Sequence, residues 1–190
     1  MSFLQKHHPS LEAPVPIEEI VEFQLNLDII PFPNLKRDSQ IDGFLAFDCS
    51  AIYVDQYQLE HYPSRYRFTL AHELSHLILH KDIYHEASIE TLDDYIRWHE
   101  ELDEYVRSAY EFQAMNLAGR ILLPKTTFLS TCERHLSPLR AQIPEEADPS
   151  LVCELLGAKV ASQFDVSDEV AFRRLWRDGL CEDLRLGRRR

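Results

Sequence analysis

Residues 72–76 read His-Glu-Leu-Ser-His, two imidazoles four positions apart with a carboxylate between them. Residues 66–80 contain neither glycine nor proline, and Pro63 and Ser64 stand just ahead of them, so the motif falls inside a helix. At about 100° per residue, His72 and His76 lie roughly 40° apart on one face, while Leu70, Leu74, Leu77 and Ile78 gather on nearly the opposite one. One side is expected to pack in a core while the other presents two ring nitrogens to a shared point. Two neutral imidazoles plus one anionic oxygen suit zinc and leave a fourth tetrahedral position for water, whose pKa the metal lowers towards about 7. Glu73 is placed to take the proton from that water as it attacks a peptide carbonyl.

A third ligand has to come from elsewhere. A pattern that continues on the same chain segment needs glycine three residues and histidine six residues after His76, where this sequence has Leu79 and Asp82. An unbroken helix carries Asp82 about 240° round from His76 and away from the metal. Glutamate from a separate helix remains. Residues 102–123 show Val106, Tyr110, Gln113, Leu117 and Ile121 on one helical face, and Pro124 stops the run. Glu111 projects on another side with Met115, Ala118 and Leu122, and Ala114, Ala118 and Gly119 let a neighbouring helix come close.

These helices need a scaffold. Pro14 and Pro16 precede a short helix over 17–23 with an acidic first turn. Short β-branched and aromatic runs at 27–32, 41–47 and 51–55 predict a small sheet with a hairpin between the last two strands. Residues 81–101 are mixed and acidic, 137–149 carry Pro138, Pro144 and Pro149 and read as a loop, and 151–164 and 167–176 read as two further helices. With 190 residues and 45% hydrophobic content, the chain can bury a core as one compact domain. The net charge of −12 argues against general affinity for nucleic acid or an anionic membrane. Cys49, Cys132, Cys153 and Cys181 show no CxxC spacing and read as buried thiols in a reducing compartment. No apolar run has the length of a signal peptide core or a membrane span, so a cytoplasmic protein is expected.

Residues 67–80, RFTLAHELSHLILH, resemble the RFTLAHELGHxxLH segment of the ImmA/IrrE family of metallopeptidases. Residues 111–124, EFQAMNLAGRILLP, are similar to that family's E-x-E-A-N-x-F-A-A-x-L-L-M-P block, and the element order extends the likeness over about residues 14–180. Carried over by position, His72, His76 and Glu111 match the family's zinc ligands and Glu73 its catalytic base. The resemblance implies a zinc endopeptidase that cleaves a helix-turn-helix transcriptional repressor to release stress-response or mobile-element genes. It also implies an α+β fold, with a small twisted sheet packed on a zincin-like active-site helix and a helical C-terminal part. The metallopeptidase core is expected over 14–130 and a helical subregion packed on it over 150–180. Two positions depart from the family block: Met115 stands where the family has Asn or Asp, and Gln113 replaces its second Glu. A missing acceptor for the ligand histidines either weakens the metal site or passes that role to another residue.

Several roles stay open at this level. Tyr84, His85, His99 and Tyr110 can each supply a donor for the transition state. His80 reads as structural, although it could line the cleft. The 51–55 strand either takes an extended substrate by strand addition or is simply the edge of the sheet. Residues 161–175 look like a helix-turn-helix core, which would suit DNA binding. The basic and acidic side chains over 157–180 cancel, however, and carboxylates occupy the start of the helix that would meet the bases. A non-catalytic zinc-dependent regulator that binds a transcription factor is the other reading. The acidic stretch from Asp93 and Asp94 to Glu104 would dock a basic partner or form a solvated face, and the arginines at 188–190 read as a solvated tail.

Overall fold

A computed structural model describes residues 3–46, 48–87 and 91–184; the arginine-rich tail and the side chain of His85 lie outside the described residues. The fold is α+β, mostly helical with one three-stranded mixed sheet. The chain forms two compact units, one of residues 16–118 and one that joins the segment to residue 15 with the chain from residue 119 onward.

The described chain opens with a short helix, α1 (Phe3–His7). In the unit of residues 16–118, α2 (Ile17–Glu19) runs straight into a π-helical turn (Ile20–Gln24) that buries Ile17, Ile20 and Val21. Then follow β1 (Asp28–Phe32), α3 (Leu35–Ser39), β2 (Gly43–Leu45), β3 (Ala51–Asp55), α4 (Gln56–His61), α5 (Pro63–Glu86), α6 (Leu92–Glu101) and α7 (Glu104–Leu122), whose last turn, from residue 119, is counted with the other unit. The expected hairpin is present: β2 pairs antiparallel with β3, Phe44 opposite Tyr53. On its other side β3 pairs in parallel with β1, Ile30 opposite Tyr53, so the strand order is β1-β3-β2. Both edges of β3 are therefore taken, which rules out strand addition at residues 51–55 and leaves β2 as the edge strand that packs against α5. The carboxylate of Asp55, which is 3% exposed, accepts from Lys36 N at 2.9 Å and from Gln58 N at 2.8 Å, capping α4 and holding the first turn of α3.

Leu70, Ala71 and Leu74 of α5 are fully buried, but the buried stripe ends sooner than its spacing predicts: Ile78 is 40% exposed. The strands are three to five residues long while α5 has 24, so the sheet spans roughly 17 Å of a helix about 36 Å long. The acidic 81–101 region is largely helical, comprising the end of α5 and all of α6. A capping box starts α6, with Asp94 N donating to Thr91 Oγ1 and Thr91 N donating to the Asp94 carboxylate, both at 3.1 Å.

The other unit holds α8 (Lys125–Arg140), α9 (Pro149–Val160) with a 3₁₀ turn (Ala161–Phe164), α10 (Asp168–Trp176) and α11 (Leu180–Asp183). Residues 137–140, expected in a loop, complete α8; Pro138 falls in its last turn, where a missing N–H forfeits a single helical bond. On α10, Arg174 pairs with Asp178 at 2.6 Å and Arg173 with Glu169, so these two cations of the helix-turn-helix-like segment are engaged by carboxylates of their own chain. All four cysteines are buried, and none is in a disulfide.

Candidate metal centre

Helix α5 projects His72 and His76 towards Glu111 of α7. Glu111 Oε2 lies 3.2 Å from His72 Nε2, Glu111 Oε1 lies 3.6 Å from His76 Nε2, and the two ring nitrogens are 3.0 Å apart. One ligand atom from each residue lies within 4.8 Å of the other two. Donors bound tetrahedrally at about 2.0–2.2 Å stand about 3.3–3.6 Å from one another, so this constellation needs only small adjustment to hold a metal ion. Two imidazole nitrogens and one carboxylate oxygen form a donor set that suits a borderline cation.

The electrostatics follow from burial and proximity. Burial opposes the charged form of His72, yet the hydrogen bond to Glu111 and the fields of Glu73 and Glu111 outweigh it and raise its pKa. Burial and the nearby His72 push His76 down to about 3, which keeps it neutral and able to ligate. At Glu111, burial is overcome by hydrogen bonds from His72 and His99, which hold the carboxylate well below its usual range. Glu73 behaves in the opposite way. It is 4% exposed, and burial, opposed mainly by His72, lifts it to about 8. A hydrogen bond from the Leu45 backbone reaches its carboxyl, while Oε2 has no partner among the described residues.

The Leu45 donor is a product of sheet register. Asp42 O accepts from Asp55 N and Ala46 N donates to Ala51 O, both at 2.9 Å, so the intervening Gly43 and Leu45 turn their backbone groups to the free edge of β2. Gly43 permits the approach of that edge to α5, because a Cβ there would meet Thr69 Cγ2 at 2.7 Å and Tyr53 O at 2.8 Å. A cavity of about 330 Å³ opens beside it, lined by Gly43, His72, Glu73, Tyr95, His99 and Glu111 among others.

Outer hydrogen bonds reach two of the three donors. His76 Nδ1 faces His80 Nδ1 at 3.1 Å, and His80 Nε2 faces Gln113 Oε1 at 3.2 Å. His99 Nε2 lies 3.4 Å from Glu111 Oε1; its ring stacks on Tyr95 with centroids 5.9 Å apart, and its carbonyl accepts from Arg107. Asn116 turns back to donate to Phe112 O at 2.8 Å, and Met115 lines the cavity. Of the side chains weighed as transition-state donors, His99 lines the cavity, Tyr84 is buried behind His76, and Tyr110 lies over His80. Sequence reasoning passed over Gly43 and the pairing of Gln113 with His80. A glycine inside a strand pattern and a third histidine one turn beyond His76 were the signals available.

The sequence comparison decides the kinship: a model of the IrrE N-terminal-like domain, a peptidase family, matches residues 52–175, well over half of the chain. The chain belongs to this family. The matched part of the IrrE-like chain runs from β3 into α10 and contains every residue of the three-donor cluster together with Glu73. No curated protein matches it. A solved structure described as a Mycobacterium tuberculosis transcriptional regulator is similar at 17% identity with a TM-score of 0.47, over 84% of this chain. The IrrE-like chain spans 39% of the length of that structure.

Proposed function

We propose that this protein is a zinc-dependent endopeptidase in which His72, His76 and Glu111 hold the metal and Glu73 is the general base. The observation that carries the reading is Glu73 itself: a buried carboxyl group with one oxygen unpartnered among the described residues, lining the same cavity as His72 and Glu111. Burying an ionisable group without a partner is costly, and such a cost persists where the group has work to do. When bound, zinc supplies Lewis acidity to a substrate carbonyl and lowers the pKa of water. Glu73 then takes a proton at Oε2 during attack on the peptide bond and returns it to the leaving amine. The hydrogen bond from Leu45 keeps the carboxyl in one orientation for both transfers. His99, with Nε2 3.4 Å from Glu111 Oε1, lines the same cavity and holds the Glu111 carboxylate in place. The outward backbone groups of Gly43 can pair with an extended substrate.

The substrate we propose is a helix-turn-helix transcriptional repressor in the cytoplasm. Family membership supports a peptidase, and the charge of −12 favours a basic partner such as a DNA-binding domain over nucleic acid itself. Among the described residues, no helix is long and apolar enough to cross a membrane. The test is to incubate the purified protein with the repressor encoded beside it, with and without chelator, and to identify fragments by mass spectrometry. Discrete fragments that vanish with chelator are expected. A stable complex without cleavage would replace the peptidase by a binding regulator.

A further inference from the structure

His80 is 4% exposed, stands one helical turn beyond His76, and belongs neither to the three-donor cluster nor to the lining of the Glu73 cavity. Its two ring nitrogens are both engaged. Nδ1 lies 3.1 Å from His76 Nδ1 and Nε2 lies 3.2 Å from Gln113 Oε1, while the Tyr110 ring covers it at a centroid distance of 4.7 Å.

Two facing nitrogens share one hydrogen, and the far end of the chain decides which one carries it. An amide oxygen only accepts, so His80 Nε2 carries its hydrogen towards Gln113. His80 Nδ1 is then a lone pair, and His76 Nδ1 must donate to it. That leaves His76 Nε2 bare, and this is the atom 3.0 Å from His72 Nε2 and 3.6 Å from Glu111 Oε1. We propose that His80, capped by Gln113, is a positioning residue that locks His76 in the Nδ1–H tautomer and aims its Nε2 lone pair at the metal position. The inference rests on the metal-centre reading above. In other metal sites this task falls to a carboxylate, a carbonyl or a water. Here Met115 has no acceptor of that kind and His76 Nδ1 faces His80, so a neutral imidazole relays the acceptor of Gln113. The opposite hydrogen order would put a proton on His76 Nε2 and close the ligand face, so the two arrangements are distinguishable.

Two measurements test the inference. Long-range proton–nitrogen NMR correlation on the metal-free wild-type protein should find His76 protonated at Nδ1, against the Nε2–H preference of a free histidine, and His80 at Nε2. A hydrogen on His76 Nε2 overturns the proposal. Zinc affinity by competition with a chromophoric chelator then compares the wild type with His80→Phe and His80→Gln. Loss of the acceptor in His80→Phe should weaken binding by about 10–100-fold, and the side-chain carbonyl of His80→Gln should recover most of it. A folded His80→Phe that binds zinc as tightly as the wild type refutes the positioning role and leaves the metal centre standing. A wild type that binds no zinc refutes the metal centre, and with it this role. Should His80→Phe fail to fold, Gln113→Lys at its exposed position serves instead: a donor-only group reverses the relay, and an unchanged His76 tautomer refutes it.

Discussion

Gly43 and Thr69 touch so closely that a Cβ on Gly43 would stand 2.7 Å from Thr69 Cγ2. The contact presses the edge of β2 onto α5, and it is through that edge that the Leu45 backbone reaches Glu73. Gly43→Ala should therefore cost about 1–3 kcal/mol of stability by overpacking. It should also lower peptidase turnover more than zinc affinity, because it displaces Glu73 and leaves the three donors in place. Denaturant unfolding, zinc titration and cleavage rates on one preparation check the order of these effects.

Glu73→Gln keeps the shape of the side chain and removes the basic oxygen. The variant should retain zinc and fold while losing at least about a hundredfold in cleavage rate. His76→Ala should lose both metal and cleavage. Equal loss of zinc in the two variants would make Glu73 a ligand instead of a base.

The same carboxyl makes the metal-free protein pH-sensitive. Glu73 titrates near 8 in the fold and near the ordinary carboxylate value when unfolded, so between those values the native state holds the extra proton. Its contribution to stability is complete at low pH and is lost as pH rises through 8. After chelation, the Tm of the wild type should fall relative to Glu73→Gln between pH 5 and about pH 9. A constant difference in Tm across that range would contradict the raised pKa.

Tyr66, Tyr84 and Tyr95 are buried, and desolvation pushes all three phenols up, Tyr66 to about 12. A raised phenol stabilises the fold below the ordinary tyrosine value and ceases to do so as pH climbs through the shifted one. Of the eight tyrosines, these three should resist ionisation until alkaline unfolding releases them together. Ultraviolet titration monitored beside circular dichroism reads this directly; early ionisation of all three in the intact fold would contradict it.

The three-donor cluster was legible in two ways: the 72–76 motif declares itself at helical spacing, while Glu111 was singled out by the resemblance of residues 111–124 to a family block. The β2–β3 hairpin was legible because its pairing is local. The central position of β3 was not, since parallel pairing with β1 joins residues more than twenty apart and leaves no mark in either strand alone. Pro138 misled because a proline tolerated in a last turn looks, in sequence, the same as one that ends a helix. Ile78 has core spacing yet is 40% exposed, because strands of three to five residues do not run the length of a 24-residue helix. The pairing of Gln113 with His80 needs the facing of two helices, which periodicity places on a side without naming the neighbour.

Asp55 ties the first turn of α3 and the start of α4 to the last position of β3. Because side chains alternate along a strand, sliding β3 by a single residue against β1 would turn each of its side chains to the opposite face of the sheet. The two backbone donors leave Asp55 with one permitted alignment, and β2 inherits that alignment through its own pairing with β3. The phase of the sheet is thus set at one end by a carboxylate that takes no part in the chemistry. It is transmitted strand by strand until it determines which backbone hydrogen arrives at Glu73.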